Sequence, residues 1–243
     1  MSIPFSKAFE KMPPQEKLQY VRSIQMPTNE EISFLISILT DPKENGMVQA
    51  AVLPALKNAG ENASEALALC FSQTSAHENQ MHGYGCQLRI KLSYALSQIP
   101  QTAAAVFESF LNDTVPEIRQ NGIIGISGKN NGQYDSLLYG ILIGDSDPKT
   151  AFEAASALEA GRERTFPLLK KILADDLRNV NKEAQTSGLD DHVLGKVIDI
   201  VGKNGRGENY KELMMYIEPY LCHKNPNISN SAKEIIEAIK NEK

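Results

Sequence analysis

Four residues in a short span of the 243-residue chain carry soft-metal donor atoms: Cys70, His77, His82 and Cys86. Thiolate sulfur and imidazole nitrogen are the ligands zinc prefers. Their separations of seven, five and four residues fit no standard zinc signature. Cys70 falls inside one helical run and Cys86 opens another, so the loop between them would have to gather all four. A long exposed loop over 75–85, with two surface histidines between two core cysteines, is expected instead. No metal and no cofactor is expected.

Arg89 and Arg119 invite a reading as anion binders. Three adjacent carboxylate pairs, Glu30-Glu31, Asp175-Asp176 and Asp190-Asp191, invite one as acid–base partners. Each pair lies at a helix end in a polar run, where acids at a helix start favour the backbone dipole. No apolar surroundings that would raise one carboxyl for acid catalysis are evident in the sequence, and all three are expected to be solvated. Gly128 to Gly132 and Gly202 to Gly207 are Gly-flanked and basic, but they follow helices and lack the order of a phosphate loop. No nucleophile elbow or dinucleotide fingerprint occurs, so no catalytic residue is assigned and the chain is not expected to be an enzyme.

The elements that position these residues are helices. Ile32, Leu35, Ile36 and Leu39 share one helix face, as do Val106, Phe107, Phe110 and Leu111, then Leu168, Leu169, Ile172 and Leu173. Alternation at period two is scarce. Helices are expected near 5–11, 14–24, 29–39, 47–58, 63–73, 84–98, 102–111, 116–126, 133–142, 149–160, 165–175, 190–203, 209–221 and 228–241. Asp41-Pro42, Asp113 to Pro116 and Asp147-Pro148 punctuate them. There Asp can cap the next helix, and Pro fits a first turn that needs no N–H. Gly46, Gly60, Gly128, Gly161 and Gly205 are expected as left-handed caps at helix ends. The polar stretch 176–191 reads as a loop.

One pattern recurs in the second helix of each pair. An apolar residue is often followed by Arg; a small or apolar residue comes four on, and an Ala-Leu-like pair seven and eight on. The copies run Val48, Val52, Ala55-Leu56; Leu88, Arg89, Leu92, Ala95-Leu96; Ile118, Arg119, Gly122, Gly125-Ile126; and Ala151, Ala154, Ala157-Leu158. Weaker copies end at Val201 and Ile239. Offsets of four, seven and eight share one face of a 3.6-residue helix. Small residues there let helices approach closely. The copies end at 56, 96, 126, 158, 201 and 239, about one helical hairpin apart.

This pattern resembles HEAT repeats, in particular short bacterial HEAT-like repeats with Asp-Pro before the second helix and an apolar-Arg step after it. The resemblance covers about 28–241. Arg occupies the step only at Arg89 and Arg119, and Asp-Pro is missing before several pairs. The resemblance implies an all-α, right-handed α-α superhelix, a HEAT-like solenoid of about six helical hairpins. It would form a single domain, 1–243, with 1–27 as an N-terminal capping pair. Arg89 and Arg119 would pair with Asp113 and Asp147 in a structural ladder between neighbouring repeats. The second helices would line a concave face bearing Ile90, Tyr94, Gln120, Ile124, Phe152 and Glu159. An aromatic and apolar centre with a polar rim is how protein interfaces are built. The function implied is a non-catalytic scaffold or adaptor that binds another protein.

Two HEAT-like alternatives resemble the chain in size. A DNA glycosylase for alkylated purines stacks its base on aromatics beside a carboxylate. Here Trp is absent, the face is not basic, and Tyr94 with Asp199 is a poor substitute. A subunit that attaches bilin chromophores has nothing diagnostic in this sequence. The formal charge of −5, from 25 Lys+Arg against 30 Asp+Glu, argues against nucleic acid as partner. Apolar runs such as 34–39 fall far short of the roughly 18 residues a membrane span needs. The opening residues 1–12 lack a signal-peptide core, and three Cys make no disulfide framework. A soluble, cytoplasmic protein is expected.

Overall fold

The computed structural model describes residues 8–75, 84–180, 189–204 and 210–241. They are helical with no strand among them, so the protein is all-α. No helix among the described residues is long and apolar enough to cross a membrane. The chain divides into two compact units, 1–128 and 129–243.

The first unit holds α1 (Pro14–Ser23), α2 (Asn29–Thr40), α3 (Gly46–Ala59), α4 (Glu61–Ser75), α5 (Tyr84–Ser97), α6 (Ala104–Phe110) and α7 (Pro116–Ser127). α2 packs on α3, α4 on α5 and α6 on α7; α1 lies against α3, and α5 against α7. At its start Phe9, Tyr20 and Phe34 form an aromatic cluster. Phe9 meets Phe34 edge-on at 5.1 Å between centroids, and the Lys17 ammonium sits 5.0 Å from the Phe9 ring. That contact ties the segment before α1 to α2.

The second unit holds α8 (Asp135–Gly144), α9 (Pro148–Glu159), α10 (Phe166–Val180), α11 (Asp191–Asn204), α12 (Tyr210–Ile217), a 3-10 turn (Glu218–Cys222) and α13 (Pro226–Asn241). α8 pairs with α9, α10 with α11 and α12 with α13. The second helices α9, α11 and α13 pack in that order.

The recurring pattern is the buried face of the second helices. Val52, Leu56, Leu92, Leu96, Ile118, Ile126, Ala154, Leu158, Val197 and Val201 are all sealed from water. Gly122 and Gly125 have a narrower purpose than close approach between neighbouring pairs. A Cβ on Gly122 would lie 2.9 Å from Phe110 Cβ, and one on Gly125 would penetrate the Phe107 ring. Both glycines make room for aromatics of the preceding helix in their own pair.

The ends of the helices follow turn chemistry with several departures from expectation. Asp147 caps α9, its Oδ2 accepting from Thr150 N at 2.8 Å, and Pro148 takes the first position. Asn45 rather than Asp41 caps α3. Asp113 holds the turn before α7, its Oδ1 accepting from Val115 N at 2.9 Å. α2 starts with a capping box, Thr28 and Glu31 each accepting from the other's backbone N–H. Gly60 is a positive-φ cap at +61°, but Gly128 and Gly161 are right-handed and Gly46 begins α3. The left-handed cap expected at those three is therefore corrected: the chain turns there within the right-handed region. Gly205 lies outside the described residues. The loop expected over 176–191 is corrected at its start, because α10 continues to Val180; residues 181–188 lie outside the described residues.

Two buried hydroxyls close equivalent turns. Thr102 Oγ1 donates to the Leu96 carbonyl at 3.0 Å and Thr165 Oγ1 to the Leu158 carbonyl at 2.6 Å. Both acceptors are the last residue of a repeat copy, and each hydroxyl adds a second bond to a carbonyl that already accepts a turn N–H, Ile99 N at Leu96 and Gly161 N at Leu158.

Candidate functional site

In the first unit α5 and α7 are fastened through Asn121 Nδ2, which donates to Ser93 Oγ at 2.8 Å in a buried setting. With Leu92, Ala95 and Leu96 facing inward, Ile90 and Tyr94 fall one turn apart on another face of α5. Gln120 and Ile124 have the same spacing on α7. Ile90 and Gln120 are half-buried. Tyr94 is 44 % exposed and Ile124 40 %, which is apolar area that folding of this unit leaves in water.

Phe152 and Glu159, on α9, are engaged with α11. The Phe152 ring stacks on His192 at 5.4 Å with an interplanar angle of 24°. Lys196 places its ammonium 5.8 Å from the same ring and donates to Glu159 Oε2 at 2.6 Å. The four side chains clamp α9 to α11, and His192 keeps its other face exposed.

Arg89 forms an ion pair with Asp113 and lies over the Phe71 ring at 5.0 Å. The pair joins α5 to the turn before α7, and both side chains are mostly buried. Arg119 Nη1 donates to the backbone carbonyls of Asp113 at 2.9 Å and Thr114 at 3.2 Å. Asp113 thus serves as counterion to one arginine and as backbone acceptor for the other. Asp147 Oδ2 also accepts from Thr150 Oγ1 at 2.7 Å.

Of the four sulfur and imidazole residues, Cys70 is half-buried on α4 and Cys86 half-buried on α5. His77 and His82 lie outside the described residues. Burial pushes the Cys70 thiol up, away from the thiolate that metals and electrophiles need. Among the described residues no group of three or more His, Cys, Asp or Glu is placed to hold a metal ion.

The expectation that Asp176 is solvated is corrected. Its side chain is buried, with Oδ2 accepting from the Tyr220 hydroxyl at 2.8 Å, while Oδ1 is buried with no hydrogen-bond partner among the described residues. Burial pushes the Asp176 carboxyl up, and Asp191 adds to this; the Tyr220 bond and His223 pull it back. Burial, then the facing carboxylate, drives the Tyr220 phenol far above its usual range. Asp191 is also tied in, its Oδ2 accepting from Asn225 Nδ2 at 3.0 Å. The two partners lie 44 residues apart on α10 and the 3-10 turn, so no local spacing announces them. Sealed from solvent on both sides, the pair is closed to a substrate.

Comparison of the chain with protein-family models, with curated proteins and with solved structures returns no match.

Proposed function

We propose that the chain is a non-catalytic scaffold or adaptor that binds another protein through the outward faces of its second helices. The observation that carries this reading is the exposure of Tyr94 and Ile124 on two helices that pack together and bury their repeat faces. Aromatic and aliphatic side chains left in water on a rigid helical surface are the usual anchors of protein interfaces. Residues 28–241 are proposed as a HEAT-like array behind a cap at 1–27, with Arg89 and Asp113 as one rung of its ladder. Because Tyr94 and Ile124 sit on helices, not loops, binding through them needs little backbone ordering. A cytoplasmic location belongs to the same reading.

The test is co-purification of the tagged full chain from its native lysate, with mass spectrometry of what is retained. Wild type is compared with a Tyr94→Ala, Ile124→Ala double variant whose melting temperature is checked first. A protein retained in stoichiometric amount by wild type and lost by the folded variant is the expected result. Equal retention by both, or retention of nucleic acid alone, counts against this surface as the binding site.

A further inference from the structure

Between α1 and α3 in the first unit lies a half-open groove of about 500 Å³. It exists because α3 presents small side chains on that side. Ala50, Ala51 and Pro54 form one wall and Arg22, Ile24 and Gln25 the other, while Val21, which also lines the groove, is sealed from water. The groove is closed at one end where Asn58 Nδ2 donates to the Gln25 carbonyl at 3.0 Å, and at the other stands Met47, 68 % exposed.

Three properties define what fits. The wall from Met47 to Asn58 follows three turns of α3, about 16 Å at the helical rise. That length matches apolar anchors at i, i+3 or i+4, and i+7 of a second helix, the usual spacing for a helix laid in a groove. Charge gives the sign of the occupant. Arg22 is the only charged residue among those that line the groove, and its guanidinium makes no hydrogen bond or ion pair among the described residues. An exposed guanidinium beside an apolar trough favours a carboxylate. Met47 adds an unbranched, polarizable side chain that adapts to different apolar partners.

We infer that the α1/α3 groove docks an amphipathic helical segment of a partner protein, with two or three apolar anchors on one face and an Asp or Glu placed to meet Arg22. This rests on the reading of the chain as a protein-binding scaffold and names a second contact for it, on residues other than Tyr94 and Ile124.

The test uses the full chain and a phage-displayed library of random peptides about 16 residues long, panned on wild type and counter-selected on a blank surface. Selected peptides are synthesised and titrated against wild type, Arg22→Glu, Ala50→Glu and Tyr94→Ala. Arg22 and Ala50 are exposed, so neither change is expected to disturb folding. The expected peptides share helical apolar spacing and an acidic residue. They bind wild type and Tyr94→Ala alike, and lose about tenfold or more in affinity, at least 1.4 kcal/mol, with Arg22→Glu and with Ala50→Glu. The inference is overturned if no peptide is enriched, if the enriched peptides are basic, or if binding ignores both groove variants. Binding that ignores those variants but disappears with Tyr94→Ala overturns the groove while leaving the scaffold reading in place.

Discussion

The Tyr220 hydroxyl donates to Asp176 Oδ2 at 2.8 Å, and the second oxygen of that carboxylate, Oδ1, is buried without a partner among the described residues. Folding of the second unit therefore takes an ionisable group out of water while satisfying half of it. The pair links α10 to the turn before α13 across 44 residues of sequence.

Because burial raises the Asp176 carboxyl above its ordinary value, the folded state holds its proton more tightly than the unfolded chain. The contribution is most favourable below the unfolded carboxyl range near 3.9 and is lost as pH rises through the folded value. Asp176→Asn keeps an acceptor for Tyr220 and removes the charge. It is expected to match or exceed wild type at about pH 7, by on the order of 1 kcal/mol, with the gap closing toward about pH 4. Tyr220→Phe leaves both carboxylate oxygens unpaired and should cost about 1–3 kcal/mol. Thermal melts of the three proteins at both pH values check this; a wild type more stable than Asp176→Asn at neutral pH contradicts the account.

The same substitution should act with opposite sign at two helical glycines. A Cβ on Gly125 collides with the Phe107 ring, which is fully buried and cannot swing aside. Gly125→Ala is expected to destabilise by about 1–3 kcal/mol despite the better helix former. A Cβ on Gly140, inside α8, would meet nothing within 4 Å. Gly140→Ala should stabilise by about 1 kcal/mol. Denaturant titrations of the two variants decide it, and a loss at Gly140 as large as that at Gly125 would mean the space around α8 is filled.

Removing one member of the Arg89–Asp113 pair should cost far more than a surface ion pair. Asp113→Ala strands a mostly buried guanidinium on the Phe71 ring and drops the Oδ1 bond to Val115 N. About 3 kcal/mol is expected. Arg89→Met combined with Asp113→Ala should recover part of it, since the apolar stem space is refilled and no charge is left alone. A double variant no better than Asp113→Ala alone, measured by urea unfolding, rejects the charge argument and points to the turn bond instead.

The helices were legible because their signals are local. The three-and-four spacing of Ile32, Leu35, Ile36 and Leu39 lies inside one element, and α2 spans Asn29–Thr40 against an expected 29–39. The repeat positions were legible for the same reason: they predict burial, and Leu56, Leu96, Ile126, Leu158 and Val201 are buried. What escaped depends on distance in sequence or on a neighbour's shape. Asp176 sits in a run of polar residues that reads as solvent-facing until Tyr220 arrives from 44 residues away. Phe152 reads as an exposed aromatic until His192 covers one face of it. The α1/α3 groove is a gap between helices, and a gap has no residue of its own to read. Gly161 shows that residue type alone does not set backbone hand; its φ of −75° lies in the ordinary helical region.

Thr102 and Thr165 carry a further consequence. Each hydroxyl reaches back only six or seven residues to close its turn, so the exit path of the chain from α5 and from α9 is decided by its own neighbourhood. Elements linked by such short-range closure place most of their contacts between residues close in sequence. Chains with that distribution lose little loop entropy before contacts form, and they fold quickly, in microseconds to milliseconds for helical domains. A nascent chain could therefore complete α4 to α6 while α9 is still being made, with little apolar surface left waiting in water.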